Sequence, residues 1–127
     1  TDWMVHMLGQ AVAAYTDATH GHTLSAVSGA YYRLLIERSE DAAKKFRRLA
    51  TSVWDIVPAG KTDKEIASEG LARMEDWMRE LGLAMDITAC GADPSQLEGM
   101  ADACPINETG YVVLTREDVI DVLRQSL

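Results

Sequence analysis

The chain has no glycine-rich phosphate loop. Neither Gly-x-Gly-x-x-Gly nor Gly-Gly-Gly-Ser occurs in its 127 residues, and the nine glycines are scattered. A dinucleotide fold of its own is therefore not expected. The two cysteines, Cys90 and Cys104, form no CxxC pair and have no histidine near them; a disulfide between them is the lesser alternative, and free thiols are expected. Basic residues are few: 12 Lys and Arg against 20 Asp and Glu leave a net charge of −8, which argues against a nucleic-acid partner. Long apolar runs are missing as well. The longest uncharged stretch, Ala18 to Tyr32, falls short of the roughly 20 residues that a membrane span requires. No signal peptide, internal repeat or low-complexity segment is evident. With 47% apolar residues and a mean hydropathy of −0.10, the composition is that of one globular domain with a single core.

What is present is helical patterning. A helix is expected from about Trp3 to Tyr15, apolar on nearly every side and so suited to the centre of a bundle. Tyr15-Thr16-Asp17-Ala18-Thr19 breaks it with residues that favour caps and turns, and a second helix runs from there to about Arg38. Ser39 caps a third helix along Ala42, Ala43, Phe46, Leu49, Ala50 and Val53; its Lys44, Lys45, Arg47 and Arg48 read as a solvated face. Thr62-Asp-Lys-Glu65 forms a capping box for a helix along Ile66, Leu71, Met74, Trp77, Met78 and Leu81, and Gly82 stops it. Asp93-Pro94 opens a short helix to about Ala103. Asn107 to Gly110 is a turn, Tyr111 to Leu114 is extended, and Thr115 caps the last helix. The six methionines read as core packing rather than as thioether ligands.

All three histidines lie in residues 6 to 22, where Asp17 is the sole ionised side chain between Trp3 and Tyr32. Imidazole in such surroundings needs a partner for each ring nitrogen, and a divalent metal is one such partner. On one unbroken helix His6 and His20 would stand about 21 Å apart along the axis, too far to share an ion. The break at residues 15–19 brings them within reach of each other and puts His20 in the first turn of the second helix. The positive end of the helix dipole there favours the neutral, metal-binding imidazole. The competing reading is a histidine satisfied within the core. His22, about 200° around the helix from His20, is not expected to be a ligand.

The run from Trp3 to Ser28, WMVHMLGQAVAAYTDATHGHTLSAVS, resembles the metal-binding segment of iron-containing alcohol dehydrogenases of the butanol-dehydrogenase-like branch. That segment reads His, three residues, His, nine residues, His-Gly, then a small-residue stretch. Further on, Lys45-Phe46 through Ser52-Val53-Trp54-Asp55-Ile56 is similar to the family's Lys-Phe…Asn-Val-Trp-Gly-Ile helix. Ile66 through Leu83 resembles the helix after it, and Thr115 through Leu123 resembles the closing helix. The resemblance runs over essentially the whole chain.

It implies an all-α, multi-helix bundle, the C-terminal domain of the dehydroquinate synthase-like, iron-containing alcohol dehydrogenase fold. It also implies iron, or alternatively zinc, held by an aspartate and three histidines, the last two falling on His6 and His20. The family's middle histidine, which assists proton transfer beside the nicotinamide, falls on Gln10. Glutamine has no acid–base chemistry near neutral pH, but its amide can orient a water or a substrate. The aspartate, the first histidine and the dinucleotide-binding domain are expected upstream, outside residues 1–127. NAD or NADP would then be bound mainly by that N-terminal domain, and the isolated chain would be inactive. The expected partners are a small alcohol or aldehyde and the N-terminal domain, with a homo-oligomer of the full-length protein left open and a cytoplasmic location. His6 and His20 are expected to meet on adjoining helices at an open groove. The alternatives are a stand-alone helical binding module with structural histidines and a metal-storage bundle. The storage bundle usually needs Glu-x-x-His pairs, and none occurs here.

Overall fold

The computed structural model describes residues 2–127, which form six α-helices and, among the described residues, no strand. In order they are α1 (Met4–Ala13), α2 (His20–Arg38), α3 (Glu40–Val53), α4 (Asp63–Glu80), α5 (Leu97–Ala103) and α6 (Arg116–Gln125). A 3-10 turn, Pro94–Gln96, leads into α5. None of these helices is long and apolar enough to cross a membrane.

The helix starts are set by side chains that accept from otherwise unpaired backbone N–H groups. Ser39 accepts from Ala42 and Asp93 from Ser95; Thr62 with Glu65 and Thr115 with Asp118 form reciprocal capping boxes. Gly82, at φ +77°, ends α4, and the N–H of Leu83 bonds to the carbonyl of Met78 at 3.1 Å. Two boundaries differ from the sequence expectation. α1 stops at Ala13, because the hydroxyl of Thr16 donates back to the carbonyl of Val12 and the chain turns over residues 14–15. Tyr111 to Leu114 contains bends where an extended segment was expected.

α2 is the hub, packed against α1, α3, α4 and α6. Ser25 through Tyr31 are all buried, which the small side chains Ser25, Ala26, Ser28, Gly29 and Ala30 allow. The main core joins Met4, Leu8 and Val12 of α1 with Val27, Tyr31 and Leu35 of α2, Met100 of α5 and Val119, Val122 and Leu123 of α6. α1 is not the central helix. It buries one stripe, Met4, Leu8, Ala11 and Val12, while Trp3 and Tyr15 at its ends are 53% and 40% exposed. That one-sidedness leaves the rest of its surface for polar side chains. α3 and α4 pack close together: a Cβ on Gly70 would lie 2.4 Å from that of Ala50, so only glycine permits this approach.

Candidate metal centre

His6 is the third residue of α1, in its first turn, and His20 is the first residue of α2. The turn at residues 14–19 folds α2 back against α1 and brings the two rings together. His6 Nδ1 and His20 Nε2 are 3.0 Å apart, with ring centroids at 4.7 Å and planes at 89°. His6 is half-buried and His20 exposed. Trp3 and His6 pack in a T-shaped contact with centroids 5.8 Å apart.

Gln10 lies one turn after His6, and its Nε2 is 3.0 Å from His6 Nε2. The three candidate residues therefore form one contiguous group, Gln10–His6–His20. Sequence reasoning missed a fourth member, Thr23. This fully buried residue has its hydroxyl 3.5 Å from His20 Nδ1. A threonine three residues after a helix-opening histidine is the pattern that could have revealed it, since i and i+3 share a helix face.

His22 takes no part in this group. Its Nδ1 accepts from the backbone N–H of Ala84 at 2.9 Å, and Ser25 donates to the carbonyl of Ala84 at 2.6 Å. The two bonds pin the segment after α4 onto α2. A groove of about 910 Å³ beside the interhelical turn is lined by Tyr15, Asp17, His22 and Gly91, and not by His6 or His20. A smaller groove of about 250 Å³ has Val5 and Gly21, the chain neighbours of His6 and His20, in its apolar lining.

The first turn of α1 is latched to α2 through Asp2. Its carboxylate accepts from the buried hydroxyl of Tyr31 at 2.9 and 3.0 Å and from the backbone N–H groups of Met4 at 3.0 Å and Tyr111 at 3.2 Å. Burial and the Asp2 carboxylate both push the Tyr31 phenol well above its ordinary range. Cys90 and Cys104 are buried free thiols, and burial pushes Cys104 up to about 11. They are packing groups rather than nucleophiles.

The donor set fits part of a metal site. At metal–nitrogen bonds of about 2.0–2.1 Å, two imidazoles meeting near a right angle at one ion stand about 3 Å apart, which is the separation of His6 Nδ1 and His20 Nε2. Imidazole nitrogen suits iron and zinc alike. No cluster of three or more His, Cys, Asp or Glu side chains that could hold an ion occurs among the described residues. A stable catalytic site usually has at least three protein ligands, so the pair needs ligands from elsewhere.

Comparison with known proteins places the chain in a family. The chain matches the profile described as "Fe-containing alcohol dehydrogenase family, C-terminal" over residues 1–127. It is 33% identical over 128 residues to probable NADH-dependent butanol dehydrogenase 1 of Bacillus subtilis, covering 99% of this chain and 32% of that protein. It is 27% identical to NADH-dependent butanol dehydrogenase A of Clostridium acetobutylicum, covering 98% of this chain and 32% of that protein. The chain thus spans about a third of the length of the curated relatives it matches. Among solved structures, the substrate- and cofactor-free aldehyde reductase YqhD of E. coli superposes with a TM-score of 0.84 at 20% identity, covering 100% of this chain and 33% of that one. NADH-dependent butanol dehydrogenase A of Thermotoga maritima superposes with a TM-score of 0.80 at 20% identity, covering 98% and 33%. At these identities the structural likeness shows the shared helical fold. The sequence match over the full chain goes further: this protein belongs to the Fe-containing alcohol dehydrogenase family and corresponds to its C-terminal region.

Proposed function

We propose that residues 1–127 are the C-terminal helical, metal-binding domain of a metal-dependent, NAD(P)-linked alcohol dehydrogenase that interconverts alcohols and aldehydes. In this reading His6 and His20 supply two of the ligands to a divalent ion, iron or alternatively zinc. The remaining ligands and most of the NAD or NADP site belong to an N-terminal domain of the same protein, acting in the cytoplasm. The observation that supports it best is the 3.0 Å approach of two imidazole nitrogens from different helices in a chain of this family. The B. subtilis and C. acetobutylicum relatives are described as NADH-dependent butanol dehydrogenases, which favours NADH and a short aliphatic alcohol or aldehyde.

When bound, the ion held by His6 and His20 would supply Lewis acidity for the substrate oxygen, and NAD or NADP would supply the hydride chemistry. This chain's own work is positional. α1 and α2 hold the two rings edge to face, and Trp3 covers one side of His6. Gln10 stands where the family pattern has its middle histidine. Its amide orients a water or substrate hydroxyl and does not exchange a proton itself. With two ligands and no cofactor fold, the 127 residues alone are inactive. The test is His6→Ala in the full-length protein, read as metal content together with alcohol oxidation. Loss of both is expected, and retention of both overturns the assignment.

A further inference from the structure

Thr23 lies at the buried end of the histidine group. Its hydroxyl donates to the carbonyl of His20 at 3.0 Å, so its single proton is committed. Towards the ring of His20 it can only accept. With that hydroxyl as the acceptor, His20 Nδ1 carries the hydrogen, which leaves Nε2 as a lone pair. The nitrogen facing that lone pair, His6 Nδ1, must then be a donor, and His6 Nε2 an acceptor. Gln10 completes the sequence by offering its amide N–H to His6 Nε2. Each tautomer follows from its neighbour, starting from one buried hydroxyl.

A cation between the two inward nitrogens needs a lone pair from each. His20 already presents one. His6 does not: its proton has to move from Nδ1 to Nε2, and the group facing Nε2 has to change from donor to acceptor. An amide does this by a half-turn that exchanges Nε2 for Oε1. We propose that Thr23 and Gln10 are positioning residues of the histidine pair. Thr23 presets His20 for a cation, and Gln10 is the two-faced partner that lets His6 switch tautomer when the cation arrives. This rests on the reading that the pair holds a metal ion. It gives Gln10 a task that acts through His6 and requires no proton exchange. Outer partners of this kind are typically worth about 10- to 100-fold in metal affinity.

The test is imidazole nitrogen NMR on the full-length protein stripped of its metal, with Zn2+ alone as the probe. In the metal-free chain His6 and His20 should both be protonated at Nδ1. Saturating Zn2+ should move the His6 proton to Nε2 and leave the His20 tautomer unchanged. Gln10→Ala, at an exposed position, should leave the metal-free His6 with a mixture of tautomers and weaken Zn2+ binding about tenfold. Thr23→Val should loosen the His20 tautomer in the same way, and Thr23→Ser should restore it. If Gln10→Ala leaves the His6 tautomer unchanged and Zn2+ affinity within twofold, the inference is overturned while the metal reading stands. If Zn2+ moves neither ring in the wild-type chain, the metal reading falls and takes the inference with it.

Discussion

The Asp2 latch offers a quantitative test of how the histidine pair is held. Tyr31 is fully buried, and its hydroxyl donates to the half-buried carboxylate of Asp2. Hydrogen bonds to charged groups contribute about 1.5–3 kcal/mol. Tyr31→Phe leaves Asp2 with the Met4 and Tyr111 N–H groups, so its cost should fall near the lower end, about 1.5 kcal/mol. Asp2→Ala does more damage. It orphans a phenol in the core, at about 1–3 kcal/mol, and removes the hydrogen bond from the Met4 N–H, at about 1 kcal/mol. For a chain of 127 residues, each kcal/mol lowers Tm by about 4 °C. The expected losses are therefore about 6 °C for Tyr31→Phe and 8–16 °C for Asp2→Ala. The double variant has no phenol left to orphan, so its loss should fall short of the sum by about 1–2 kcal/mol. Thermal unfolding of the four proteins measures this coupling directly. Additivity within about 0.3–0.5 kcal/mol would refute the latch.

Two further predictions concern parts of the fold away from the histidines. Burial raises the pKa of Asp118, but the Thr115 N–H and Arg38 outweigh it and hold the carboxylate below its ordinary 3.8. Its contribution is therefore present above about pH 4 and is lost as pH falls towards the lower folded value. Asp118→Asn should cost about 1 kcal/mol at pH 7 and progressively less below pH 4, compared by urea unfolding at both ends; a difference that stays constant with pH would contradict this. Asp55 sits at φ +52°, in the left-handed region, where the similar family motif has glycine. Asp55→Gly should relieve backbone strain and raise stability by about 0.5–1 kcal/mol, and a fall in Tm would show that the aspartate is accommodated without strain.

How much of this was legible in the sequence depended on whether the cause was local. The caps at Ser39, Thr62, Asp93 and Thr115 and the stop at Gly82 each depend on residues within one turn, and each forms. The break at residues 15–19 was readable for the same reason, and with it the conclusion that His6 and His20 lie on different helices. Long-range contacts were not readable. Nothing near Asp2 in the chain points to Tyr31, 29 residues away, and nothing near His22 points to Ala84. The apolar character of α1 suggested a central position, yet burial is decided by which neighbours exist, and here α2 takes the centre. Tyr111 to Leu114 lacks a pairing strand, so its β-branched residues form no ladder. Thr23 lay within a turn of His20, but its role becomes visible only when the other ring of the pair is in place.

The central claim is that His6 and His20 bind one catalytic ion together. Anomalous diffraction from crystals of the full-length protein, recorded at the iron and zinc absorption edges, tests it most directly. The account predicts one peak per chain within bonding distance, about 2 Å, of both His6 Nδ1 and His20 Nε2. A fully loaded protein whose single anomalous peak lies away from these two nitrogens would contradict it.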